Sequence, residues 1–174
     1  MIRVAIDVDS VIIEISKPWL RLYNAEFNDA MTESDWIKWG IHELVKPECG
    51  TQIYKYIDVL YDEPDCLPID FALKGVETLQ QFCDVKLVTS GLTQGKINWL
   101  KRYGFSEKDI IMTNDKNWID ANLLIDDALH NVQGWGRFVL FDKPWNQGVE
   151  VKYRAKSWSE ILWMAGKATN ATYF

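Results

Sequence analysis

The residues best suited to chemistry are Asp7 and Asp9, in the stretch Arg3 to Val11 that reads RVAIDVDSV. Val4, Ile6 and Val8 are apolar, so the stretch looks like a strand that ends in two acids at spacing two. Carboxylates at the edge of a core are costly unless a cation or hydrogen-bond donors meet them. A later run, Leu123 to Ile125, is also apolar and passes directly into Asp126 and Asp127. The two pairs offer oxygen ligands to a hard cation, and Mg2+ in such a setting keeps water and phosphate oxygens in its shell. One carboxylate can attack phosphorus and form an aspartyl phosphate that water then cleaves. A second carboxylate, two residues on, is near enough to protonate the leaving oxygen and later to activate water. Lysine and cation would offset charge on the transferring group, and hydroxyls with backbone N–H groups at a strand-to-helix turn would hold its oxygens.

These residues need elements to position them. VKLVTS, Val85 to Ser90, is a short strand pattern ending in the hydroxyls of Thr89 and Ser90. Ile110 to Thr113 and Phe138 to Phe141 are further short strands, and Lys116 lies in the loop after the former. Between them the spacing predicts helices over Ala72 to Phe82 and Gln94 to Tyr103, the latter stopped by Gly104, and a last helix capped by Ser157. Strands alternating with helices imply an α/β fold, a Rossmann-like parallel sheet with helices on both faces. In such sheets ligands sit beyond the carboxyl ends of the strands. Asp7 and Asp9, Thr89 and Ser90, Lys116, and Asp126 and Asp127 come from separate stretches and all fall at that edge.

The segment from about Glu14 to Asp65 has another character, with helical patterns and no convincing strand. A helix is expected from Lys17-Pro18 through Phe27, a second capped by Thr32 and carrying Trp36, Ile37 and Trp39, and a third over Gln52 to Tyr61. The expected division is a core of residues 1–13 and 68–174 with a small inserted helical cap at 14–67.

At 174 residues the chain can bury a core, and no apolar run reaches the roughly 20 residues that span a bilayer. The start enters a strand pattern rather than a secretory signal, so the cytoplasm is the expected compartment. Cys49, Cys66 and Cys83 show no CxxC spacing and read as reduced thiols. A net charge of −6 and the lack of a basic stripe argue against a grip on long nucleic acid. Most of the nine tryptophans read as packing, with Trp36 and Trp39 as candidates to touch a flat base.

The motifs carry a resemblance. IDVDSV at 6–11 resembles the first motif of haloacid-dehalogenase-like phosphatases, LVTS at 87–90 the second, and Lys116 with IDD at 125–127 the third and fourth. Within that superfamily, TNDKNWIDANLLIDDALHN, LFDKPWN and YRAKSWSEI resemble the 5′(3′)-deoxyribonucleotidases. The likeness covers roughly residues 1–12 and 68–163 and is weak through the insert. It implies Asp7 as nucleophile and metal ligand, and Asp9 as general acid/base with its backbone carbonyl on the metal. It implies phosphate binding by Thr89 with Ser90, and Lys116 paired with nucleophile and phosphate. Asp127 would be a direct Mg2+ ligand with Asp126 supporting it. Ser10 departs from the glycine that many members carry.

The implied activity is a Mg2+-dependent phosphomonoesterase acting on nucleoside monophosphates, deoxyribonucleotides foremost, with a small-molecule nucleotide as its partner. The alternatives are the same chemistry on a sugar phosphate or other metabolite, and a silent binding module of the same fold. Lys96 competes with Lys116 for its role, His130 reads as a helix-start donor, and His42 receives no role. The oligomeric state, a homodimer included, stays open.

Overall fold

The computed structural model describes residues 1–169. Six parallel strands form one sheet: β1 (Ile2–Asp7), β2 (Cys83–Thr89), β3 (Ile110–Met112), β4 (Leu123–Asp126), β5 (Phe138–Phe141) and β6 (Arg154–Ala155), in the order β3-β2-β1-β4-β5-β6. The chain reverses direction across the sheet at β1, the switch point where such folds place ligands. Register aligns the chemistry: Asp7 lies opposite Val88 of β2, and Ile6 opposite Ile125 of β4. The carboxyl ends of β1, β2 and β4 therefore finish side by side.

Alternation along the strands builds two apolar layers. Val4, Ile6, Leu87, Leu123, Ile125, Val139 and Phe141 enter the larger core, whereas Ala5, Val88, Leu124 and Leu140 enter a smaller one on the other face. The larger core is covered by α2 (Ala72–Gln80), α3 (Gln94–Arg102) and α5 (Trp158–Thr169), which supply residues such as Val76, Trp99 and Trp158. The smaller is closed by the short α4 (Leu129–Val132), through Val132, and by flanking loop residues. The Ser157 hydroxyl accepts the Glu160 N–H at 3.2 Å and caps α5 as its sequence suggested. The two-residue β6 has no signal in the sequence; it pairs with β5 through Leu140–Arg154 and Phe141–Ala155.

Residues 14–67 hold no strand. They comprise α1 (Ser16–Phe27) and short 3-10 segments at Glu33–Asp35, Ile41–Glu43, Gly50–Asp58 and Leu60–Asp62. The helix expected through Trp36, Ile37 and Trp39 does not form. The Asp35 carboxylate reaches back to the Thr32 N–H and hydroxyl at 2.8 Å and 2.6 Å, but the Thr32 side chain accepts no helix N–H and a single 3-10 turn follows. Ile37 and Trp39 remain exposed, so a helix here has no apolar face to bury. Trp36 instead leaves the turn and packs against Trp19 and Trp145, with ring centroids 5.4 Å and 4.6 Å away. The expected third helix is 3-10 rather than α. Ile53 and Tyr56 are its buried residues, the spacing that three residues per turn places on one face. Among the described residues no helix is long and apolar enough to cross a membrane.

Candidate active site

β1 delivers Asp7 to the switch point, and the chain then turns sharply. Ser10 takes a φ of 60°, in the left-handed region that favours glycine. This is the position at which Ser10 departs from the resembled family. The turn closes through the Ser10 N–H to the Ile13 carbonyl at 2.8 Å, which leaves the Asp9 carboxylate beside the cavity.

Lys116 joins the two acidic strand ends. Its ammonium donates to Asp7 Oδ1 at 2.6 Å and to Asp126 Oδ2 at 2.7 Å, all three groups being buried. Asp126 is further held by the Ala128 N–H on Oδ1 at 2.8 Å and by Asn131 on Oδ2 at 3.1 Å. Asp127 receives the indole N–H of Trp145 on Oδ2 at 2.8 Å, and its backbone carbonyl accepts from Asn146 at 2.7 Å. Asp127 Oδ1 is buried with no hydrogen-bond partner among the described residues. Such an atom is costly unless a cation completes it. Oxygens of Asp7, Asp126 and Asp127 lie within 4.8 Å of one another, so the donor set fits a hard cation.

The electrostatics follow from this crowding. Burial pushes the Asp7 carboxyl up to about 6 against the pull of Lys116, with Asp126 and Asp9 adding to the rise. Burial, then Asp7 and Asp126, holds Asp127 well above the usual carboxylate range. Burial alone would lower the Lys116 ammonium, but Asp7 and Asp126 outweigh it and keep the group charged. Burial lowers His130, with Lys116 adding to the effect.

A second lysine lies across the site. Lys96, on the first turn of α3, donates to Asp9 Oδ2 at 2.6 Å and to the Thr89 hydroxyl at 2.8 Å. Lys96 and Lys116 thus do not compete for one place: Lys116 meets Asp7, as the family spacing implied, and Lys96 meets Asp9. Thr89 is buried against Lys96 and the Gly91 carbonyl rather than lining the cavity, whereas Ser90 does line it. The cavity has a volume of about 390 Å3. Asp7, Asp9, Ser90, Lys116 and Asp127 line it from the strand ends and the loops after them, and Trp19, Trp36, Trp39, Tyr54 and Ile57 line it from residues 14–67. Trp36 is buried in a tryptophan cluster, and Trp39 stands half exposed with its ring 4.8 Å from His130. His130 accordingly lines the cavity beside a candidate base-contacting ring.

Sequence reasoning missed Tyr61, Trp145 and Asn146. Trp145 lies within the LFDKPWN run, so family likeness marked the segment without marking the bond. Tyr61 gave only an apolar helix pattern, because its partner Asp9 is 52 residues away in the chain.

Comparison with known proteins agrees with this geometry. The sequence model of the family described as 5′ nucleotidase, deoxy (Pyrimidine), cytosolic type C protein, NT5C, matches residues 1–170. The chain belongs to the NT5C family. It is 29% identical over 161 residues to a 5′(3′)-deoxyribonucleotidase of Clostridium acetobutylicum, covering 89% of each chain. It is 26% identical over 167 residues to a 5′(3′)-deoxyribonucleotidase of Bacillus subtilis, covering 91% of this chain and 95% of the relative. Among solved structures, the HAD-hydrolase YfnB of Bacillus subtilis, bound to magnesium, superposes with a TM-score of 0.63 at 18% identity. That match covers 97% of this chain and 98% of the other. A hydrolase from Pseudomonas syringae gives a TM-score of 0.67 at 13% identity, covering 96% and 99% of the two chains. The fold is that of the HAD-like hydrolases, and this NT5C chain is a phosphoric monoester hydrolase.

Proposed function

We propose that this NT5C chain dephosphorylates deoxyribonucleoside monophosphates in a Mg2+-dependent reaction through an aspartyl phosphate on Asp7. The observation that carries the reading is the buried Asp7–Lys116–Asp126 chain, set beside the unpartnered Asp127 Oδ1 at the cavity floor. Lys116 holds one Asp7 oxygen, which orients the other for attack. Asp7 and Asp127, with the Asp9 backbone carbonyl, would hold Mg2+, and Asp126 supports the set by fixing Lys116. When bound, the cation neutralises phosphate charge and aligns the phosphorus. Asp7 attacks phosphorus, Asp9 gives its proton to the bridging oxygen, and the nucleoside leaves as an alcohol. Water then attacks the same phosphorus, Asp9 takes its proton, and the bond to Asp7 breaks to release phosphate.

Ser90 and Lys116 face the phosphate in this reading, and Thr89 stands behind them, bonded to Lys96. Among the described residues Lys116 has two acceptors, which leaves one of its three N–H groups for a phosphate oxygen. Residues 14–67 act as a cap over core residues 1–13 and 68–174, excluding water and selecting the leaving group. Trp36 and Trp39 bound the space for the base. The relatives' names supply the nucleotide, and the aromatic wall of the cavity suits one. Buried, unpaired Cys49, Cys66 and Cys83 fit a reducing compartment such as the cytoplasm.

Phosphate release over a panel of nucleoside 5′- and 3′-monophosphates and sugar phosphates, with Mg2+ and with chelator, tests the reading. Deoxyribonucleotides should be the preferred substrates, and chelation should stop turnover. Hydrolysis of sugar phosphates alone would reassign the substrate, and turnover that is indifferent to chelator would remove the cation.

A further inference from the structure

Asp9 is gripped from two sides. Lys96 Nζ meets Oδ2 at 2.6 Å from the core, and the Tyr61 hydroxyl meets Oδ1 at 2.9 Å from the insert. The Lys96 ammonium has three N–H groups. They go to Asp9 Oδ2, to the Thr89 hydroxyl at 2.8 Å and to the Gly91 carbonyl at 2.5 Å. Lys96 is only 2% exposed, so its donors are fully spent within the protein. An ammonium in that state has nothing left for a phosphate oxygen. Its effect on the reaction must pass through Asp9.

Tyr61 is tied to the same grip. It is buried, and its hydroxyl donates to Asp9. The Lys96 ammonium lies 5.3 Å from the centre of its ring. The first turn of α3 abuts the segment that carries Tyr61: a Cβ on Gly95 would lie 3.4 Å from Tyr61 Cβ and 3.5 Å from the Asp58 carbonyl. Core helix and insert thus meet directly behind one carboxylate.

We propose that Lys96 and Tyr61 are positioning residues for Asp9, Lys96 from the first turn of α3 and Tyr61 from residues 14–67. The proposal rests on the reading of Asp9 as the group that protonates the leaving oxygen and later takes the proton from water. Lys96 fixes one oxygen of the carboxylate from the core. Tyr61 fixes the second oxygen from the opposite side. Proton transfer needs reach and alignment, and a carboxylate held at both oxygens has one orientation rather than several.

The test uses a substrate whose leaving group needs no proton. With p-nitrophenyl phosphate, formation of the phospho-aspartate releases p-nitrophenolate unaided, whereas breakdown still needs Asp9 as base. Stopped-flow release of p-nitrophenol at near-stoichiometric enzyme is compared for the parent, Tyr61→Phe and Lys96→Met, alongside steady-state turnover of a deoxyribonucleoside monophosphate. The first turnover of the variants should stay at or above the parent's kcat, while their steady-state rate falls by about tenfold or more, leaving a burst near one equivalent. Nucleotide turnover should fall at least as far, with KM little changed. A first turnover that slows in step with the steady state, or no change in either, overturns the proposal. Lys96→Met keeps the length of the side chain, and Tyr61→Phe alone suffices should that variant not fold. A parent that forms no phosphoenzyme, or an Asp7→Asn variant that still turns over, would instead bring down the catalytic reading and this proposal with it.

Discussion

Asp7 and Asp127 sit where ordinary carboxylates would not be stable. Both are buried, and both are crowded by other acids. What separates them is their partners, since Asp7 has the Lys116 ammonium and Asp127 has the neutral indole N–H of Trp145. An amide at position 7 keeps the shape and loses the nucleophile. Asp7→Asn should lower turnover by about a thousandfold or more, leave the far-ultraviolet circular dichroism unchanged and melt no lower than the parent; retained activity would mean the nucleophile lies elsewhere. Trp145 acts through Asp127, whose second oxygen it orients. Groups that orient metal ligands typically carry about 10–100-fold in metal affinity. Trp145→Phe should therefore raise the Mg2+ concentration needed for half activation by roughly tenfold, and a calorimetric Mg2+ titration should show the same loss. An unchanged Mg2+ requirement would show that the indole only fills space.

Each catalytic group arrives on a strand end or a first helical turn, and those elements are fixed by packing away from the site. Gly75 on α2 faces Trp158 on α5: a Cβ there would lie 2.2 Å from a ring carbon of an indole that is itself tied to the Val11 carbonyl at 2.8 Å. Alanine normally stabilises a helix interior relative to glycine by roughly 1 kcal/mol. Here the clash should reverse the sign and cost about 1–3 kcal/mol, seen as a lower melting temperature; a variant that melts higher would show that α2 and α5 do not press together. The same distinction between local and distant causes explains what could be read before the structure was known. β1, β2 and β4 are short apolar-rich runs that end in their acids or hydroxyls, so the sheet and the Asp7–Lys116–Asp126–Asp127 set were legible. Trp36 was not. Its neighbours along the chain suggested a helix, but its position is decided by Trp145, from a segment beyond the last long strand. Lys96 was visible only as a rival to Lys116, because its bond to Asp9 spans 87 residues. Local pattern reports what a segment prefers, and in residues 14–67 the distant contacts outweigh that preference.

At the scale of the whole molecule, the buried acids set how stability depends on pH. Burial lifts the Asp7 carboxyl from its ordinary value to about 6, and burial with Asp7 and Asp126 holds Asp127 well above the usual carboxylate range. A carboxyl whose pKa is higher in the folded state binds more protons there than in the unfolded chain. Its penalty is absent below the unfolded value, grows as pH rises from about 4 towards 6 for Asp7, and is fully present above. Asp127 contributes in the same direction. The protein in chelator should accordingly lose stability from these two groups as pH rises through that range. Mg2+ acts in the opposite sense, because it binds the ionised carboxylates and competes with protons for them. A cation present at about a hundred times its dissociation constant adds roughly 2.7 kcal/mol, which for a chain of this size is on the order of 5–10 °C in melting temperature. Thermal melts with Mg2+ and with chelator should thus show a larger Mg2+ shift near pH 7.5 than near pH 5. Asp127→Asn should abolish most of that shift at the higher pH while raising the melting temperature in chelator, since it removes the costly charge together with the ligand. A Mg2+ shift of equal size at both values, or one that survives in Asp127→Asn, would mean that the cation does not bind at the acidic end of β4.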